Sequence, residues 1–331
     1  MSPSVAGISI PAARLQSRGT HTKYASIAAS TSHTHFAQCR SPLIDNDFAY
    51  LSVTYGVVFA SRKSQASDMK ISLVSAFVIV CVTAWVLTRA VDAPSHADRR
   101  TPVLVELFTS EGCSSCPPAD ALLSKLDRQP ADGAELVVLS EHVDYWNHLG
   151  WRDPYSSHFY SERQSAYADR LGLSSIYTPQ MVVDGSIEFV GSSARSANEA
   201  FVQALGAPKI PVRLSSITLE RADILRAHIE TEALTDSFGS REAEVYVAVA
   251  LNHAESEVSR GENGGLRLAH TAVVRTLFKI GNVQLGKNFV QDVQLKLESG
   301  TDPHNFRLIA FLQLPHQGRV IGAAVQSVST N

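Results

Sequence analysis

The sequence is poor in cysteine and carries little net charge. Four cysteines in 331 residues are too few for a disulfide-dense scaffold. A formal charge of -3, from 29 basic and 32 acidic side chains, excludes the strongly basic surface that a nucleic-acid binder usually carries. No segment repeats at a fixed period. Apolar residues are not scarce: at 44% they exclude a wholly disordered chain. The length suggests about two domains.

Residues 1–68 lack glutamate altogether and hold 17 Ser and Thr, six Lys and Arg and three Asp. They show no sustained helical period. An apolar stretch from Phe48 to Ala60 has no partner run nearby. The segment reads as a disordered tail or as sequence upstream of the true start, although acid-poor, serine-rich composition also marks transit peptides. Met69 is the next methionine after Met1, Lys70 follows it, and an apolar run extends from Ile71 to Leu87. That order is the one found in secretory signal peptides, and Ser95-His96-Ala97 supplies small residues at a cleavage site. Residues 69–97 are therefore expected to be a signal peptide, leaving a mature chain from Asp98. If the run is retained it is a short membrane anchor, with membrane contact only through residues 71–87. Both readings put residues 98–331 outside the cytoplasm, in the periplasm or beyond it. Ile79 and Val80 before Cys81 do not form a lipoprotein signal.

The rest reads as two halves, 98–207 and 208–331. Val103–Phe108 fits a buried strand. Ala119, Leu122, Leu123 and Leu126 fall on one face of a helix over 117–128. Glu135–Leu139 reads as a strand and 156–171 as a helix. Two short strands, Gln180–Val183 and Ile187–Val190, flank Asp184-Gly185-Ser186, a strong hairpin signal. A final helix follows, with Ser196 and Glu199 at capping-box spacing. Beyond Pro208 and Pro211 the helical period fades. Seven segments from Val212 to Val328 read as strands and suggest a sandwich.

Within the mature region only Cys113 and Cys116 remain. They form a C-x-x-C that follows the first strand and opens the first helix, the context of a redox motif. The dipole and unpartnered first amides of a helix favour a thiolate at Cys113, with Cys116 one turn on to resolve a mixed disulfide. Pro117 follows, where a missing N–H costs little. Two other readings stay open: a structural disulfide, or half of a metal site that His142, Asp144 and His148 would have to complete. The loop 142–154 is rich in aromatic and polar side chains. Its Tyr145, Trp146 and Trp151 suit either a substrate surface or packing against the second half. Glu262, Asn263, His270 and Arg275, polar residues among the later strands, suit either a polar network or a position facing the cleft between the two halves.

The run Glu106-Leu107-Phe108-Thr109-Ser110-Glu111-Gly112-Cys113-Ser114-Ser115-Cys116-Pro117-Pro118-Ala119-Asp120 resembles a family of secreted bacterial thioredoxin-like proteins catalogued as domain of unknown function 1223. The resemblance extends through His142-Val143-Asp144-Tyr145-Trp146-Asn147, Tyr177-Thr178-Pro179-Gln180, Arg260-Gly261-Glu262-Asn263 and His270…Val273-Val274-Arg275, covering nearly all of 101–331. It implies an α/β thioredoxin-like domain followed by an all-β sandwich-like domain. It also implies a cis Pro179 packed against the cysteines and a buried Glu106 acting as proton acceptor for Cys116. Gly112 and Ser114-Ser115 stand where ordinary thioredoxins have Trp and Gly-Pro. The expected activity is thiol–disulfide exchange by Cys113, Cys116, Pro179 and Glu106. Thr178, Trp146, Tyr145 and His142 would bind the substrate. The partners would be protein thiols or disulfides, or a small thiol, with no cofactor. The rivals are a binding module stapled by its disulfide and a metal-delivery protein.

Overall fold

The computed structural model describes residues 100–328 except 130, 221, 222 and 299. The expectations for residues 1–68 and for the signal or anchor at 69–97 lie outside the described residues.

The chain runs β1 (Thr101–Thr109), α1 (Pro117–Arg128), β2 (Ala134–His142), α2 (His158–Leu171), β3 (Gln180–Val183), β4 (Ile187–Val190) and α3 (Ala194–Leu205). It continues through β5 (Val212–Glu220), β6 (Ile224–Thr231), β7 (Glu242–Glu257), β8 (Arg267–Gln284), β9 (Phe289–Lys296), β10 (Phe306–Gln313) and β11 (Val320–Ser327). Local sequence explains most boundaries. α1 starts on two prolines, which need no amide partner there. Ser157 accepts from the Phe159 amide to cap α2, and left-handed Gly172 ends that helix. α3 is capped by Ser193, which accepts from the Ser196 amide, rather than by the expected Ser196–Glu199 box. Asp184 and Gly185 both take positive φ, 47° and 62°, closing the β3–β4 hairpin as a mirror-image turn.

The expected fold class, an α/β thioredoxin-like domain followed by an all-β sandwich-like domain, is corrected by the sheet. Eight strands from both sides of residue 208 form one mixed sheet in the order β11-β10-β7-β8-β2-β1-β3-β4. Eleven strands outweigh three α-helices among the described residues. β1 and β2 are parallel, β3 runs antiparallel to β1, and β8 joins β2 at Ser140 and Val273. The physical reason is the free edge of β2, whose backbone groups need a partner that the long β8 supplies. One core cluster accordingly combines Leu104, Val137 and Leu139 with Ala248, Val274, Ile309 and Phe311. Of the seven later strands only three, in the order β5-β6-β9, form a second sheet. Leu225, Ile229, Val293 and Leu295 of that sheet pack on Val247, Val249, Leu308 and Ala310.

β1 is buried on both faces, and its alternation decides what each face meets. Val103, Val105 and Leu107 pack with Ala119 and Leu123 of α1 and with Ala197, Ala200, Phe201 and Ala204 of α3. Leu104 clusters with Tyr160, and Phe108 with Tyr167, both from α2. The cysteines open α1 and therefore belong to the first of these faces. Among the described residues no helix is long and apolar enough to cross a membrane.

Candidate functional site

Cys113 and Cys116 are bonded to each other at the entrance to α1, with Cα atoms 5.5 Å apart. Both residues are 0% exposed, while Ser114 and Ser115 between them face solvent. Cys116 is the N-cap residue of α1, in helical conformation. Ser115 Oγ lies 3.3 Å from Cys113 Sγ and 3.5 Å from the Thr178 carbonyl oxygen, so the motif adjoins the 178–179 peptide. That peptide is cis. Pro179 is buried, and its carbonyl accepts from the Gly191 amide at 2.9 Å. A methyl group on Gly191 would lie 2.8 Å from Leu107, 3.2 Å from Pro179 and 3.3 Å from Ala119, so only glycine lets the chain pass beneath the proline.

The amides of the motif are largely committed. Cys113 N donates to the Ser110 carbonyl and Cys116 N to the Cys113 carbonyl. Pro117 and Pro118 carry no N–H, and the Ala119 and Asp120 amides both donate to the Cys116 carbonyl. The unpartnered first-turn donors expected to hold a thiolate are thus absent, and the dipole of α1 remains. The Ser114 amide donates at 3.0 Å to the Glu262 carboxylate, which reaches over from the β7–β8 loop.

Trp146 adjoins the motif. Its indole N–H donates to Thr178 Oγ at 2.8 Å, and a Cβ on Gly112 would lie 3.0 Å from Trp146 Cβ. The glycine before the first cysteine therefore makes room for a tryptophan from another loop. Tyr145 packs beside Trp146 on the Phe108 and Tyr167 cluster, and its hydroxyl donates to Gln164 at 3.2 Å. Burial raises the Tyr145 phenol above its ordinary value.

Two expected site residues are not brought to the sulfurs. Glu106 lies on the β1 face opposite α1. There it accepts from Arg163 Nε at 2.8 Å and from the Tyr167 hydroxyl at 2.7 Å. Its expected role as proton acceptor for Cys116 is corrected, because strand alternation turns it toward α2. His142 is fully buried and presents no surface to a substrate. Its Nδ1 lies 2.7 Å from Asp153, and its ring meets His270 edge-on at 4.7 Å. Burial works to raise the Asp153 carboxyl, but the His142 charge and hydrogen bonds, including those from the Glu111 and Tyr155 amides, hold it below the usual range.

Beneath the motif lies a buried charged cluster that the sequence pattern reveals only in part. His270 of β8 places Nε2 3.3 Å from Glu111 and Nδ1 3.6 Å from Asp120 of α1. Trp151 donates to the second Glu111 oxygen at 2.7 Å. Asn263 donates to the carbonyls of Glu111 at 2.8 Å and Cys113 at 3.0 Å, tying the motif to the β7–β8 loop. Asp120 follows Ala119 on the helix and carries no pattern signal of its own; its position four residues after Cys116 is the available clue. Among the described residues no three His, Cys, Asp or Glu side chains are arranged to hold a metal ion.

Burial opposes a charge on His270, and the flanking Asp120 and Glu111 outweigh it, lifting the imidazole to about 10. The folded value lies above the ordinary 6.5, so the stabilisation is complete below that pH and is lost as pH rises through about 10. Stability is expected to decline by several kcal/mol over that window, since each tenfold gain in proton affinity on folding is worth about 1.4 kcal/mol. Urea unfolding at about pH 7 and about pH 9.5 measures it, and His270→Gln should flatten the decline. A wild-type curve with no decline would refute the charged state.

Several solved structures resemble this fold, and two of them span most of the described chain. The X-ray crystal structure of protein AGR_C_4864 from Agrobacterium tumefaciens is 26% identical, with a TM-score of 0.55, over 70% of this chain and 97% of that one. HBP35 of Porphyromonas gingivalis, at 17% identity and a TM-score of 0.51, covers 69% of this chain and 76% of its own and is a likeness of fold alone. No curated protein matches. Residues 104–313, which include the cysteine pair, Pro179 and the Glu262–Asn263 clamp, match the family described as "Protein of unknown function (DUF1223)", and the chain belongs to that family.

Proposed function

We propose that the chain is an exported thiol–disulfide exchange protein. The observation that carries this reading is a C-x-x-C pair bonded to itself at the first turn of α1, with its two intervening serines exposed. In the reduced pair the Cys113 thiolate attacks a substrate disulfide and expels one substrate thiolate. Cys116 then attacks Cys113 of the mixed disulfide, closing the Cys113–Cys116 bond as the second substrate thiolate leaves. A substrate dithiol meeting the oxidised pair runs the same steps in reverse. Trp146, Thr178 and Pro179 border the motif and shape the surface a substrate meets. The partners are protein thiols or disulfides, or a small thiol. Lys70 followed by the run Ile71–Leu87 supports export to the periplasm or beyond, or an anchor with 98–331 outside the cytoplasm.

One observation favours a second reading: both cysteine residues are 0% exposed. On that reading the disulfide is a staple and the protein a binding module. Reduction of the folded protein separates the two. Exchange predicts that dithiothreitol opens the pair, and oxidised glutathione closes it again, without loss of near-ultraviolet dichroism. It also predicts a reduction potential above about -300 mV. A bond that yields only when denaturant unfolds the chain overturns exchange and leaves the staple.

A further inference from the structure

The loop between β7 and β8 grips the cysteine motif at two adjacent residues in different ways. Asn263 is buried and holds two carbonyls of the motif segment. Glu262, next to it, is exposed and holds a single residue, Ser114, whose amide donates to it at 3.0 Å. Gly261 and Gly265 take φ of 78° and 84°, backbone that glycine adopts freely, on either side of the pair. Asn263 is thus the fixed anchor and Glu262 the part that can leave at little cost.

The Ser114 amide is the motif donor bound to a group that can move away. Cys113 N and Cys116 N are used within the motif, and the two following prolines have none. An anion that approaches Cys113 from the side of the Ser114 amide, the next donor along the chain, meets a carboxylate already seated on it. We propose that Glu262 is a gate on the Cys113–Cys116 disulfide, an inference that rests on the exchange reading. Its carboxylate must leave Ser114 before a thiolate can engage Cys113. In the gated step the incoming thiolate forms a bond to Cys113 Sγ, and the Cys113–Cys116 bond breaks. The electron pair departs on Cys116 Sγ, which takes a proton from water. The gate discriminates by charge: an anionic thiol is repelled, a neutral one only obstructed. Hydrogen bonds from the Ser114 hydroxyl and amide hold the Glu262 carboxyl below its usual range, consistent with a seated, ionised group at neutral pH.

The test compares second-order rate constants for opening the disulfide of the folded protein. The probes are dithiothreitol, which carries no carboxylate, and mercaptosuccinate, which carries two. Glu262→Gln removes the charge and keeps an acceptor; Glu262→Ala removes both. Both variants should react about two- to fivefold faster than wild type with mercaptosuccinate, as befits an exposed contact. The gain with Glu262→Gln should be smaller for dithiothreitol. Raising ionic strength should speed the wild type with mercaptosuccinate more than it speeds Glu262→Gln. Glu255→Gln, a charge change further along the same hairpin, should react as the wild type does. Wild-type rates in both Glu262 variants with both thiols overturn the gate while leaving exchange standing. A disulfide that no thiol opens in any folded variant overturns exchange itself.

Discussion

Cys116→Ser protein made in an oxidising compartment should accumulate reducible high-mass adducts, and Cys113→Ser protein should accumulate none. The asymmetry follows from the position of the two residues. Cys113 lies in the turn before α1, with exposed Ser114 and Ser115 immediately after it. Cys116 is the N-cap of the helix, its carbonyl already holding the Ala119 and Asp120 amides. Opening the turn frees Cys113 without unwinding α1, whereas freeing Cys116 means breaking the helix start. A mixed disulfide thus forms on Cys113 and persists when its resolving partner is gone. Non-reducing electrophoresis of the two variants reads the result directly. Equal trapping would blur the two roles, and trapping by the Cys113→Ser variant alone would reverse them.

The second large effect lies on the far face of β1. Arg163→Met should cost about 3–5 kcal/mol, the range for removing one partner from a buried ion pair. The guanidinium donates to Glu106 at 2.8 Å, Tyr167 at 3.0 Å, Gln313 at 3.2 Å and Gln317 at 2.9 Å, and it lies 3.6 Å from Glu141. Glu106 and Glu141 are both 0% exposed. Burial, then the charge of Glu106, already push the Glu141 carboxyl well above its ordinary value. Without the cation, Glu106 is left buried with no opposing charge. Arg163→Lys should rescue little, since a point charge cannot serve so many acceptors at once. Adding Glu106→Gln to Arg163→Met should recover part of the loss, and chemical denaturation of the double-mutant cycle measures how much. A single-variant loss below about 1 kcal/mol would show the pair to be energetically idle.

The local elements were legible because each rests on short-range signals. Two prolines and a spaced apolar face mark α1, and Asp184-Gly185 marks the hairpin. The sheet was not legible, because pairing of β2 with β8 is a matter of backbone edges, which side-chain alternation does not encode. The placement of Glu106 failed for a related reason. Both faces of β1 are apolar, so alternation separates its residues into two sets without saying which set meets α1. The cysteine pair could be found from spacing alone. The partners of His270 come from separate elements and meet only when the strands from both halves close into one sheet.

The tryptophans flanking the motif give the protein an optical property of its own. The chain has three tryptophans, and Trp85 lies outside the described residues. Trp146 leans on Gly112 and binds Thr178, and Trp151 binds Glu111. Both indoles are thus anchored to the segments that must rearrange when the sulfur bridge opens. Emission excited near the red edge of indole absorption becomes a label-free reporter of that event. Single replacements by phenylalanine then divide the signal between a ring that watches the bridge and one that watches the charged cluster beneath it.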